Sequence, residues 1–137
     1  MSTMRVEVVS AEQEIFSGEA SMLIATAEEG DVGIYPQHTP MLTRLKAGDV
    51  RLMTDEGEQV IFVSGGILEV TPKVVTVLSD TAMRADDIDE AAALEAQRKA
   101  EQALKDTKAD MNYAKAKAEL AQAVAQLQAL KKLKKIR

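Results

Sequence analysis

Apolar and polar residues alternate through the first part of the chain. Met4, Val6 and Val8 alternate with Arg5 and Glu7, the period-two pattern of a strand with one buried face. A polar turn over Ala11 to Glu14 leads to two further short strands, Ile15-Phe16-Ser17-Gly18 and Ala20 to Thr26. Strand patterns resume at Met41 to Leu45, Val50 to Met53, Gln59 to Val63, Ile67 to Val70 and Val74 to Leu78. Between them stand Lys46-Ala47-Gly48-Asp49, Asp55-Glu56-Gly57-Glu58, Ser64-Gly65-Gly66 and Thr71-Pro72-Lys73. Short strands with a turn signal roughly every ten residues predict a β-sandwich or barrel.

The pattern changes over Ser79 to Ala85. Asp86 or Asp87 is a suitable N-cap, and Asp86, Asp87, Asp89 and Glu90 lie where the positive end of a helix dipole favours carboxylates. A helix is predicted to about Leu104. The polar run from Lys105 to Asp110 interrupts it, and Asp110 caps a second helix reaching nearly to Arg137. The two form an αα-hairpin. Tyr113, Leu120, Val124, Leu127 and Leu130 share one side of the second helix, facing Ala92, Ala96, Ala100 and Ala103 of the first. Alanine permits close approach but buries little area, at ~25 cal/mol per Å². A permanently packed hairpin and one that detaches both fit such a seam.

The chain has 137 residues, enough for one domain or a compact domain with an appendage. It contains no cysteine, which excludes disulfides and thiolate metal sites. No presequence pattern opens it and no run approaches the ~20 apolar residues of a membrane span, so a cytosolic protein is expected. Charge is unevenly placed. Residues 1–85 carry six Lys/Arg against thirteen Asp/Glu, net −7; residues 86–137 carry eleven against nine, net +2; together they give −5. An acidic body disfavours nucleic acid.

The stretch from Gly30 to Pro40 stands apart. It holds two of the three prolines, two of the seven glycines, one of the two tyrosines and the only histidine. Such a composition excludes a helix and predicts a shaped surface loop, with Tyr35 and His38 as recognition candidates. His38 has no cysteine to pair with, and nothing ties Ser17, Ser21, Ser64 or Ser79 to it; one histidine cannot form a typical catalytic zinc site. Gly30 to Gly33 lacks the Lys-Ser/Thr of a P-loop, and Ser64-Gly65-Gly66 precedes a strand, so a bulge or tight turn is the reading there.

The tail carries Lys131, Lys132, Lys134, Lys135 and Arg137. Complementing the helix dipole accounts for one or two of these cations. The surplus predicts an anionic partner, with an acidic protein surface preferred over a membrane or nucleic acid because no aromatic residues are interleaved. The residues alone describe a non-catalytic adaptor with one recognition loop and a basic helix pair; a small hydrolase built on His38 lacks a visible nucleophile.

Several segments together resemble the epsilon subunit of bacterial F-type ATP synthase. They are Val8 to Glu12, Phe16-Ser17-Gly18, Gly33 to Pro40, Ser64 to Val70, Val75 to Asp80, Glu95-Ala96 and Arg98 to Glu101. Each is short, but their order and spacing cover nearly the whole chain. The resemblance implies an α+β fold: a ten-stranded antiparallel β-sandwich over residues 1–85 and a two-helix antiparallel hairpin over 86–137. It implies a non-catalytic rotor-stalk subunit on the cytoplasmic face of the bacterial plasma membrane, coupling proton- or sodium-driven rotation to ATP synthesis. The sandwich would bind the gamma subunit and rest on the c-subunit ring, with Asp31, Tyr35 and His38 at the c-ring and membrane contact only through it. The hairpin would extend toward the alpha and beta subunits to inhibit ATP hydrolysis, with Lys131, Lys132, Lys134 and Lys135 meeting acidic segments.

Some relatives bind regulatory ATP through an Ile/Leu-Asp-x-x-Arg-Ala motif. Here Ile88 and Asp89 match, but Ala92 replaces the arginine, removing a fixed cationic donor for phosphate. Arg84 and Arg98 are near in sequence. Weak or absent ATP binding is expected, with no other cofactor, and Asp89 is read as serving the helix N-terminus.

Overall fold

The computed structural model describes residues 2–106 and 110–136. The strands are β1 Met4–Ser10, β2 Glu14–Ala20, β3 Met22–Ala27, β4 Gly30–Ile34, β5 Met41–Thr54, β6 Gly57–Val63, β7 Gly66–Val70, β8 Val75–Ser79 and β9 Ala82–Arg84. A 3-10 turn at Ala85–Asp87 leads to helices α1, Glu90–Asp106, and α2, Asp110–Ile136. The expected break at 105–110 falls largely on residues 107–109, which, like Arg137 and the side chain of the expected cap Asp110, lie outside the described residues.

Hydrogen bonding orders one run of strands β2-β1-β8-β7-β5-β3-β4, with β6 on β5 and β9 on β6. The long β5 belongs to two layers. Its first half, Met41 to Leu45, pairs with β7; its second half pairs with β3 on one side and β6 on the other. Counted once in each layer, β5 makes the nine strands equivalent to the ten expected. The turn read at Lys46 to Asp49 is therefore a bend within one strand, where the register against β3 shifts between Ala25 and Ala27. Gly48 sits in that bend because a Cβ there would lie 2.7 Å from the Thr26 side chain. One pairing departs from the antiparallel expectation: β1 and β8 are parallel, Val6 opposite Val75 and Val8 opposite Val77.

Val6, Val8, Leu23, Ile34, Val50, Leu52, Ile61, Leu68 and Val77 are fully buried between the layers. In β1, β3, β7 and β8 they alternate with less buried neighbours, as the sequence predicted. In contrast, Val60, Ile61, Phe62 and Val63 of β6 are all buried. Ile61 and Val63 point into the sandwich, while Val60 and Phe62 lie on its outside beneath Ala125 and Ala129 of α2, with Ala85, Ile88, Leu130 and Leu133 around them. A strand covered on both faces loses its alternation.

The helix cap falls later than either expected aspartate. Asp89 accepts the Ala92 N–H at Oδ1, 3.1 Å, and its carbonyl accepts from Ala93, while Asp86 and Asp87 occupy the 3-10 turn. The hairpin seam is also shifted. Ala93 and Ala100 of α1 are buried, whereas Ala92 and Ala96 are exposed; on α2 the buried residues are Ala116, Ala123, Ala125 and Ala129, whereas Tyr113 is half exposed. Two packing partners explain this. Helix α1 makes its principal contacts with α2, and α2 also packs on β5 and β6, so α2 presents small residues to opposite sides and leaves leucines at the margins.

The Ser64-Gly65-Gly66 break is confirmed as a tight backbone crossing. Gly66 has φ 141°, and a Cβ there would sit 1.9 Å from the Leu78 carbonyl oxygen. Substituting Gly66→Ala should lower the unfolding free energy by about 3 kcal/mol or more in guanidinium unfolding, since strain and a backbone clash coincide. A loss below about 1 kcal/mol would contradict this placement.

Candidate functional site

The expected Gly30 to Pro40 loop is only half a loop. Gly30 to Ile34 pairs with β3 from Ala27 to Leu23, which alternation alone did not reveal because glycines punctuate it. The remaining loop, Tyr35 to Pro40, is shaped by one turn. The His38 N–H donates to the Tyr35 carbonyl at 3.1 Å, Pro36 occupies the first central position, and Gln37 has φ 69° at the second. That is the arrangement of a type II turn, whose second central position ordinarily takes glycine or asparagine. The only histidine braces the exit. Its Nδ1 lies 2.7 Å from the Thr39 carbonyl oxygen, and since a carbonyl can only accept, Nδ1 is the donor.

This loop forms one wall of an open groove of about 810 Å³. Residues 2–5 at the start of β1, Glu19 of β2, and residues 70–75 across the β7–β8 turn form the rest. Tyr35 is 59% exposed, Pro36 and His38 half-buried, so the groove combines an apolar rim with both signs of charge. Asp31 is exposed but is not among the lining residues. It pairs with Thr26 on β4, four residues before Tyr35, or about 13 Å along an extended strand. The structure thus brings Tyr35 and His38 together and separates Asp31 from them.

A second surface was not singled out from the sequence. Ile67 and Leu78 are cross-strand partners on β7 and β8, 41% and 48% exposed, and Leu42 of β5, 68% exposed, lies diagonally beside Ile67 on the same outer face. Arg44 and Glu69 flank them. The signal was present in Val74-Val75-Thr76-Val77-Leu78, where an apolar residue stands at an outward position.

The third surface lies where α2 meets the sandwich. Lys132 Nζ donates to Asp49 Oδ1 at 2.6 Å, and Lys134 Nζ to Glu90 Oε2 at 2.8 Å. Lys131 and Lys135 are exposed. Two of the four tail lysines expected to meet a partner thus meet this chain's own carboxylates.

The residues considered for ATP are occupied structurally. Ile88 is buried in the cluster around Phe62, and Asp89 caps α1. Arg84 donates to the Ile15 carbonyl at 2.6 Å and to Gln59 at 3.0 Å, and Arg98 pairs with Glu95 at 2.6 Å, holding that carboxyl below the usual carboxylate range. The serines are likewise engaged: Ser79 donates to the Thr81 carbonyl, Ser64 accepts from the Thr81 N–H, Ser21 donates to the Met53 carbonyl and Ser17 accepts from Arg5. Among the described residues no cluster of three or more His, Cys, Asp or Glu could hold a metal, and no helix is long and apolar enough to cross a membrane.

Comparison with known proteins agrees with this architecture. Residues 3–85 match the family model described as ATP synthase, Delta/Epsilon chain, beta-sandwich domain, and residues 86–131 the corresponding long alpha-helix domain. An ATP synthase epsilon chain of Nitrosococcus oceani is 60% identical over 134 residues, covering 97% of this chain and 96% of that one. One from Alkalilimnicola ehrlichii is 58% identical over 136 residues, covering 98% and 97%. Among solved structures, a chain of the Euglena gracilis mitochondrial ATP synthase OSCP/F1/c-ring assembly superposes with a TM-score of 0.84 at 16% identity, covering 95% of this chain and 82% of that chain. A chain of the Tetrahymena thermophila central stalk/c-ring gives 0.64 at 14% identity, covering 94% and 97%. At such identities the two structures speak to fold alone.

The strained turn yields a test. Gln37→Gly should raise stability by about 0.5–1 kcal/mol in thermal or denaturant unfolding, because glycine adopts positive φ without the steric cost borne by glutamine. A destabilisation would show that Gln37 makes an interaction outweighing that cost.

Proposed function

Because this chain belongs to the ATP synthase delta/epsilon family, we propose that it is the epsilon subunit of a bacterial F-type ATP synthase, a non-catalytic part of the rotor stalk with three docking surfaces on one sandwich. The observation that carries this reading is their separation. The groove under Tyr35 and His38 lies at one end of the strands, the stripe Leu42, Ile67 and Leu78 on the outer face of one layer, and the hairpin on the outer face of the other.

The groove rests on the c-subunit ring. Exposed Tyr35 supplies the contact area that dominates protein interfaces, and the turn at Gln37 holds it in place without large entropy cost. Asp31, being displaced along β4, contributes at the margin of that contact. The apolar stripe binds the gamma subunit, which covers side chains that otherwise remain in water. The ring ties the subunit to the cytoplasmic face of the plasma membrane. The hairpin is the inhibitory element: detached from β5 and β6 and extended toward the alpha and beta subunits, it presents Lys131, Lys132, Lys134 and Lys135 to acidic segments there. With Ala92 in place of the motif arginine and Arg84 and Arg98 already engaged, ATP does not stabilise the folded hairpin.

Reconstitution of the complex separates these roles. Tyr35→Ala should weaken coupling to the membrane sector about tenfold in the concentration of subunit required, leaving hydrolysis by the soluble head unchanged; unchanged coupling would remove the groove from the c-ring contact. Ending the chain after Ala85 should leave assembly intact and raise ATP hydrolysis, and unchanged hydrolysis would exclude inhibition by the hairpin. Calorimetric titration of the free subunit with ATP should give no saturable heat at low micromolar concentration, whereas a saturable isotherm there would refute the reading of Ala92.

A further inference from the structure

Asp49 is the anomaly of the sandwich. It is one of only two buried polar or charged residues among those described, 4% exposed, and stands on β5 between buried Gly48 and Val50. A carboxylate removed from water is costly unless a cation compensates it. Here the compensating cation comes from a distant part of the chain: Lys132, in the last part of α2, reaches Oδ1 at 2.6 Å. The helix therefore both buries the carboxylate and supplies its counterion.

A second cation waits on the same strand. Arg51 Nε stands 3.9 Å from the other carboxylate oxygen, Oδ2, and Nη1 lies 3.6 Å from Glu58, both longer than a hydrogen bond. Arg51 Nε is buried and hydrogen-bonds to none of the described residues. When α2 covers the sheet, Lys132 makes the hydrogen bond to Asp49, while Arg51 stays within ion-pair distance of Asp49 and Glu58 without hydrogen-bonding Asp49. When α2 departs, Arg51 needs only a small rotation to close on the carboxylate in a two-point contact, for which guanidinium geometry is suited.

We infer that Asp49 is the catch of the hairpin, held by Lys132 in the docked state and handed to Arg51 when the hairpin leaves. The apolar part of the docked interface consists largely of small residues, Ala125 and Ala129 over Phe62, with Leu130 and Leu133 beside them. This makes a single charge pair a large share of what distinguishes docked from undocked. Undocking returns the Asp49 carboxylate to water beside Arg51, so loss of Lys132 does not leave a buried, unpaired charge. The catch also makes Lys132 unavailable outward while the hairpin is docked, whereas Lys134 is held by Glu90 within the hairpin itself. That last consequence rests on the inhibitory reading of the hairpin; the catch does not, and the isolated chain tests it without the rest of the complex.

The chain has no cysteine, so Glu56→Cys on the β5–β6 connection and Gln128→Cys on α2, both exposed, accept spin labels selectively. Pulsed electron–electron distance measurements on the full chain then count docked and undocked molecules. Lys132→Met, on the helix and outside the sandwich core, should raise the undocked-to-docked ratio about tenfold. Asp49→Asn should do the same, and the double variant should add little to either alone. Arg51→Met should move the ratio the other way, lowering it about threefold, because it removes the competing partner and a poorly satisfied buried donor. An unchanged ratio in Lys132→Met, or full additivity in the double variant, would overturn the catch. An increased ratio in Arg51→Met would overturn the exchange. Hydrolysis in the complex reads the inhibitory role separately: unchanged hydrolysis with a shifted ratio would refute that reading while leaving the catch standing.

Discussion

Phe62 has to be covered. It is a fully buried aromatic on the outer face of a sandwich whose inner face is already filled, and its strand partners cannot shield it from that side. The hairpin provides the cover, and much else follows. Helix α2 packs on β5 and β6, α1 has its principal contacts with α2, and the connection through Ala85 and buried Ile88 passes under the same cluster. Phenylalanine can bury on the order of 150–250 Å², so leaving it in water is a sizeable cost, but alanines opposite it return less than larger side chains would. The interface therefore rests on few large side chains besides Phe62, with Leu130 and Leu133 at its edge.

The charge distribution works with that balance. An acidic sandwich and a basic helix end attract one another at long range, and at contact the attraction is concentrated in Lys132 with Asp49, whereas Lys134 with Glu90 ties α2 to the start of α1. The second pair is exposed and worth little. In the first the carboxylate is buried, so removing Lys132 while the helix stays docked leaves Asp49 covered with only Arg51 near it. The groove at Tyr35 and the stripe at Ile67 and Leu78 involve neither pair and lie away from α2. The candidate docking surfaces and the hairpin contact therefore use separate residues.

Much of this was legible in the residues. Period-two alternation located most strands, turn residues marked most of their ends, and the compositional change after Ser79 announced the helices. What was missed has physical causes. Gly30 to Ile34 looked like loop because glycine is frequent in turns, yet pairing with β3 needs only the backbone. The hairpin seam was displaced because α2 serves two partners, and leucines mark its flanks instead of its closest contacts. Asp49 read as a turn residue, although it is buried in a continuous strand. The most informative overlooked signal was Val60-Ile61-Phe62-Val63: four apolar residues in succession, in a chain whose other strands mostly alternate, require something on the outer face. Family resemblance supplied the partners, which no pattern in the residues identifies.

Native-state hydrogen exchange on the isolated chain measures most directly whether the hairpin is a separable unit held on β5 and β6. Amides of α1 and α2 should exchange through one common opening whose free energy lies below that of global unfolding, while β1, β6 and β8 exchange only globally. Helix amides that share the free energy of the sandwich would mean that hairpin and sandwich open together, and would contradict a hairpin able to leave by itself.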